Sequence, residues 1–438
     1  MIKRSVKYLF ALLFNCCVIL SFSQERKVLK SIDSTKSGYQ KTIESGAPTN
    51  KDVEMELNDY AVPNYRWKIK YSNGWFDWKK RVNEKIGLQI SVNYSSIFMG
   101  SSDKLDEGLT KTAASGIFDA TLKWTFINRK KGKDRGSLVM WSDWRHLYYG
   151  SVAPQFLFLE TGSGTMNATK FNKWRFHVLE FYYQQSFFND RMDVVIGKID
   201  MPDWFSYNGL AHPMLHFTDL AFSVGPTVSW SNPGFGIAAG GWLNNKRTIG
   251  LVAGLNDVAG VDLNNPDFFD LGTDQWGNGN FLKMVELNYS PSSSRYYYNR
   301  IAVTAWHSDE LLDNDDSFFV SPSSKGISFQ GTWVINDKII PVIAVAFSDG
   351  DGANSLATTN ISLSNAWYFP NNDLFGIGIN YSTSSISGRS QVLSEVFYRW
   401  TLSQTTAFTP VIKGIINPAL NSDINFLFYY GIRGRISI

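Results

Sequence analysis

Ile117-Phe118-Asp119-Ala120-Thr121-Leu122-Lys123-Trp124-Thr125-Phe126 decides the fold class of this chain. Phe118, Ala120, Leu122, Trp124 and Phe126 fall on one face, and Asp119, Thr121, Lys123 and Thr125 on the other. Apolar and polar residues alternating with a period of two mark a strand with one face in an apolar medium and the other beside polar groups. The last segment repeats the pattern. Ile424, Phe426, Phe428, Tyr430, Ile432, Gly434, Ile436 and Ile438 share a face, while Asn425, Tyr429, Gly431, Arg433, Arg435 and Ser437 lie opposite with Leu427. Two arginines confined to one face of so long a strand suit a barrel wall beside water, and a sandwich core does not need them.

Composition fits the same architecture. Aromatic residues are 15% and charged residues 18% of the 438, yet the mean hydropathy is −0.18. Lipid-facing and lumen-facing residues average to neutrality in a membrane barrel. A net charge of +3 is too small to argue for nucleic acid. Lys3, Arg4 and Lys7 precede an apolar run from Tyr8 to Leu20, and Ser21-Phe22-Ser23-Gln24 supplies small residues for cleavage. This pattern predicts a secretory signal over residues 1–23, with lipidation at Cys16 as the weaker alternative because Asn15 precedes it. Cys16 and Cys17 are the only cysteines, so the exported chain has no disulfide, cysteine zinc site or cysteine nucleophile.

Residues 24–86 read as a polar N-terminal tail followed by a short pre-barrel segment. Asp77 to Lys85 is a candidate helix, either a plug entering the lumen or, preferably, a lid at the periplasmic rim. Residues 87–438 read as the barrel. Turn signals recur at Asn189-Asp190, Asn232-Pro233-Gly234, Asn244-Asn245-Lys246, Asn336-Asp337-Lys338 and Asn371-Asn372-Asp373. Longer polar stretches at 261–280, 309–325 and 349–359 read as outer loops. The aromatic clusters Tyr148-Tyr149, Phe187-Phe188 and Tyr296-Tyr297-Tyr298 fit interfacial girdles, with cross-strand pairs as the alternative. Dividing about 350 residues by about 22 per strand and connection gives about 16 antiparallel strands in an all-β transmembrane barrel with a short N-terminal periplasmic segment.

Motifs of catalysis and metal binding are sparse. His212 and His216 have the spacing of a helical metal pair, but Pro213 argues for an extended loop. Asp349 to Asn354 resembles the start of a calcium loop, without the required glycine or the closing glutamate. Asp309, Glu310, Asp313, Asp315 and Asp316 read as a solvated loop, with cation bridges to lipopolysaccharide as the alternative. No nucleophile elbow, phosphate loop or HExxH is found. The reading is a non-enzymatic pore with no cofactor and no metal.

Several segments resemble the carbohydrate-selective porin family of bacterial outer membranes. Trp75-Phe76-Asp77-Trp78-Lys79 through Lys85-Ile86-Gly87-Leu88 resembles its tryptophan-containing start. Leu179-Glu180-Phe181-Tyr182-Tyr183-Gln184-Gln185 and Ile196-Gly197-Lys198-Ile199-Asp200, with Phe205, resemble two of its strands. Asn232 to Gly236 resembles its proline-glycine turn. Glu395, Tyr398, Pro410, Ile416-Asn417-Pro418 and Gly431-Ile432-Arg433 resemble its C-terminal pattern. The resemblance implies a 16-stranded barrel with a narrowed, charged pore passing monosaccharides, in contact with outer-membrane lipid and lipopolysaccharide. A narrow lumen replaces the sugar's water with charged, amide and aromatic partners. The matched strands supply Glu180, Tyr182 and Gln184 on one face and Lys198 and Asp200 on another; the preceding strand adds Asp143 and Arg145. The expected constriction is Arg145, Glu180, Lys198 and Asp200, with Tyr182 and Gln184 on the substrate pathway. The competing view is that lumen charges merely pair across strands. A general or anion-preferring porin, drawing on Arg433 and Arg435, and a barrel enzyme are the rival functions.

Overall fold

The computed structural model describes residues 66–67 and 72–438, apart from 132, 263–266, 292–295, 312–320, 337, 370–372 and 404. The signal and tail readings for residues 1–59, most of the acidic cluster and the Asn371-Asn372 turn lie outside these. Helix α1 (Ser72–Ile86) leads into strand β1 (Leu88–Ser101). There follow β2 (Thr112–Ile127), β3 (Gly136–Leu147), helix α2 (Leu157–Thr161), β4 (Trp174–Phe187), β5 (Met192–Ile199), β6 (Gly234–Trp242), β7 (Ile249–Asp257) and β8 (Phe281–Tyr289). Next come β9 (Arg300–Ser308), β10 (Ser324–Thr332), β11 (Ile339–Ser348) and β12 (Ala357–Tyr368), and then β13 (Leu374–Ser384), β14 (Ser390–Thr401), β15 (Thr406–Ile416) and β16 (Phe426–Ser437). Each strand pairs antiparallel with its neighbours in sequence, and β1 pairs with β16 to close a sixteen-stranded barrel. Closure leaves the sheet with no free edge, which hydrocarbon demands of any spanning sheet.

The two strands that decided the fold class behave as read. On β2, Asp119, Thr121 and Lys123 are buried toward the inside while Trp124 and Phe126 are exposed outside. On β16, Tyr430, Ile432 and Ile436 are exposed outside and Leu427, Tyr429, Arg433 and Arg435 are buried inside. Outward aromatics collect at both strand ends, with Trp124 and Phe126 at the helix end and Trp144 and Tyr148 at the other. They suit the two membrane interfaces.

Connections alternate in character. At the helix end they are tight: Phe188, Asn189 and Asp190 all take left-handed backbone conformations between β4 and β5, and the Asn244 side chain accepts the Thr248 N–H at 2.9 Å. Gly87 joins α1 to β1 at φ +79°, where an added Cβ would lie 2.1 Å from the Thr125 carbonyl oxygen. The helix lies against β1 and β2. Before it, Arg66 pairs with Asp373 at 2.5 Å and the Trp67 N–H bonds to Leu402; after it, Arg129 bonds to the carbonyls of Glu84 and Lys85.

Tyr296, Tyr297 and Tyr298 overturn one expectation. They are buried, not part of a girdle. Tyr297 packs edge-on against Tyr207 and Tyr296 against Trp242, so this helix-end connection turns into the barrel and meets chain entering from the other end.

Candidate functional site

The barrel is not an empty tube. The connections 148–173 and 200–233 fold into it and bury Leu157, Phe158, Phe171, Phe205, Leu210 and Phe217. Burial of such side chains stabilises by about 1.5–3 kcal/mol each, but the amides they drag inside still need partners. The wall supplies them. Glu286 on β8 accepts the Ser206 N–H at 3.1 Å and is itself held by Arg300 at 2.5 Å and Thr304 at 2.9 Å. Glu395 on β14 accepts the N–H groups of Thr218 and Asp219. Lys413 on β15 reaches Asp219 at 3.2 Å, Glu395 at 3.5 Å and Asn167 at 3.0 Å. Arg433 on β16 donates to the carbonyls of Pro213 and His216. Gln391 accepts the Gly164 N–H at 2.8 Å. Inward charges of the strands thus fasten the loops.

Between these loops and the inner faces of β2 and β3 a cavity of about 200 Å³ remains. Asp119, Asp200, Asp203, Arg145, Lys170 and Arg435 supply its charged lining, and Trp141, Trp174, Tyr207 and Trp230 its aromatic lining. The cations are tethered. Arg145 pairs with Asp143 at 2.6 Å and lies 3.6 Å over the Trp174 ring. Lys170 lies 4.5 Å over Trp141 and 4.0 Å from Asp203. Arg435 bonds to Asn93 at 2.9 Å, and Asn93 bonds to Asp119 at 2.8 Å.

The residues singled out in the sequence divide into three groups. Arg145 and Asp200 line the cavity. Glu180, Tyr182 and Gln184 share the inner face of β4 but sit behind it. One Glu180 oxygen accepts the Asp200 N–H at 3.0 Å, and the other has no hydrogen-bond partner. Tyr182 is packed edge-on against Trp204 at 5.5 Å. Gln184 is buried, with its Oε1 unpartnered. Lys198 requires a correction. It stands opposite Phe181 on β4 and Phe235 on β6, while Tyr182 stands opposite Gly197. Its Cα therefore belongs to the outer face, one position out of step with the lumen residues. The side chain is nevertheless only 1% exposed, and its ammonium donates to the Val178 carbonyl at 2.8 Å. The outer connection after β7 lies alongside, since the Val178 N–H bonds to Phe268.

A bulge explains part of the crowding here. Trp141 and Ser142 on β3 face Glu180 and Val178 on β4, which leaves Leu179 unpaired. The extra residue lets both His177 and Glu180, three positions apart, point inward.

Sequence reasoning missed Asp119, Trp141, Lys170, Trp174, Asp203, Tyr207 and Trp230 as a constellation. Trp141 carried a signal, since it shares the inner face with Asp143 and Arg145. Residues 212–216 are not extended. They form a turn in which the His212 carbonyl accepts the N–H groups of Leu215 and His216. Among the described residues no cluster of potential metal ligands is present. Asp349 is engaged with Ser324 and the Lys325 amide, and Asn354 with the Trp230 carbonyl at 2.6 Å.

Residues 152–336 match the family described as carbohydrate-selective porin, OprB family. The span contains both the α2 connection and the long loop that define the cavity. No curated protein sequence matches the chain. Among solved structures, the high-pH form of Pseudomonas putida OprB superposes with a TM-score of 0.66 at 12% identity, covering 86% of this chain and all of that one. The low-pH form gives 0.47 at 9% identity, covering 86% and 99%. At 12% identity the likeness to the high-pH form shows the fold alone. Residues 152–336 are thus similar to the carbohydrate-selective porin family, and the chain shares the fold of a porin barrel.

Proposed function

We propose that small sugars diffuse passively through the gap between the inward loops and the β2–β3 wall. The observation that carries this is the balance of the cavity. Three carboxylates, Asp119, Asp200 and Asp203, face three cations, Arg145, Lys170 and Arg435, among four aromatic rings. A lining with no charge excess gives neither sign of ion an advantage. It still offers donors, acceptors and ring faces to a neutral polyhydroxylated solute, which must exchange its water for such partners and leave again. Arg145 and Asp200 are the constriction residues this reading keeps. Glu180 acts by holding the Asp200 backbone, and Tyr182 and Gln184 support the wall behind it.

The anion-preferring alternative leaned on Arg433 and Arg435. Arg433 is engaged with loop carbonyls, and Arg435 is matched by carboxylates in the same cavity. In this reading residues 1–23 direct export, the N-terminal segment and α1 face the periplasm, and the loop end faces outward beside lipopolysaccharide. The test is single-channel current in a planar bilayer. Glucose lowers the current, and Trp230→Ala weakens that block while the protein keeps its heat-dependent shift on a gel. A channel that no hexose blocks, with strong selectivity for one ion sign, is a general porin instead.

A further inference from the structure

We infer that the pore has a second binding station at its helix end, selective for small hydroxylated anions such as sugar acids. The inference rests on the porin reading above. A separate cavity of about 370 Å³ lies there between α1, the inner face of the first strands and the β2–β3 turn. Four cationic side chains, Lys123, Arg129, Lys130 and Arg135, line it against one carboxylate, Glu84. The balance found in the first cavity is thus replaced by an excess of positive charge.

Two features make this more than a basic rim. Arg129 is positioned by two hydrogen bonds to helix carbonyls, 2.6 Å to Glu84 and 3.1 Å to Lys85, so its guanidinium is oriented before any ligand arrives. Gln89, also in the lining, has a buried Oε1 with no hydrogen-bond partner. An unpartnered buried acceptor costs stability until a donor reaches it. A ligand that satisfies this cavity carries an anionic group for the cations and a hydroxyl for Gln89 or Glu84. The station also lies on the solute's way. Asp119 lines the first cavity and Lys123 the second, and both are on the inner face of β2. Four residues of strand separate them by roughly 13 Å.

The test is current block with gluconate, glucose and sulfate, each added to one side at a time, at about 0.1 M salt so that screening acts over about 10 Å. Gluconate is expected to block from one side at lower concentration than glucose. In Lys123→Gln with Arg135→Gln the gluconate half-blocking concentration should rise roughly three- to tenfold, with glucose block unchanged. Lys130→Gln, on an exposed part of the turn, should move it in the same direction and leaves the wall alone. Gluconate no stronger than glucose from either side, or a block that neither variant moves, overturns the station while glucose block keeps the porin reading. Sulfate acting as well as gluconate overturns selectivity for hydroxylated anions. If neither glucose nor gluconate alters the current, both readings fall together.

Discussion

Glu395 accepts the backbone N–H of Thr218 at 2.6 Å, joining residues 177 positions apart. The same carboxylate meets the Asp219 amide at 3.1 Å and the Lys413 ammonium at 3.5 Å. One wall side chain therefore holds a loop in place and balances a buried cation.

Glu395→Ala should release the loop without opening the barrel. Removing one member of a buried pair costs about 3–5 kcal/mol, here charged to loop docking, since β14 keeps its ladders to β13 and β15. Single-channel conductance should rise and become noisier, and the gel shift on boiling should persist. Unchanged conductance would show that the loop is held by its apolar side chains alone.

Neighbouring residues on β16 should respond in opposite ways. Ile432 is 40% exposed on the outer face and Arg433 is 1% exposed inside. Ile432→Lys should lower barrel stability by about 2–4 kcal/mol if it lies near mid-membrane. Arg433→Met should fold, yet alter conductance through the freed Pro213 and His216 carbonyls. Denaturant titration in lipid, read beside conductance, separates the two. Equal loss of folding in both would mean that the faces are misassigned.

Asp200→Asn with Asp203→Asn leaves the cavity with one carboxylate against three cations. Reversal potentials under a salt gradient should shift toward anion preference. Insensitivity would place the ionic path elsewhere.

Lys198→Met makes the complementary prediction. Because Lys198 belongs to the outer face, its loss should leave ion selectivity and sugar block where they were. A shift toward cations comparable to that of Lys170→Met would return Lys198 to the lumen and contradict the strand register.

The strands were legible because lipid imposes a strict period of two, and Trp124 and Ile432 could be assigned to lipid on that ground alone. The loops were not. Phe205, Leu210 and Phe217 lie in the connection between β5 and β6, and no local pattern distinguishes a loop in water from one tucked into a polar tube. Their burial also reverses the inner-face rule on β5, where Val195 and Ile199 point inward against this packing. A lysine beside such positions is then easily given to the wrong side. Periodicity fixes the two faces within a strand, but only pairing with a neighbour says which face of β5 matches that of β4. Arg145 and Asp200 line the cavity because each sits near a strand end, beside the loops that complete it.

Fastening the loops through side chains separates the sieve from its frame. Sixteen strands set one circumference, and their ladders tolerate little revision. The bonds from Glu286, Glu395, Lys413 and Arg433 can be exchanged singly, leaving every strand register intact. Descendants of one barrel can thereby acquire apertures of different calibre by moving a few attachment points, and a designer seeking a nanopore of chosen bore can work on the same handful of positions.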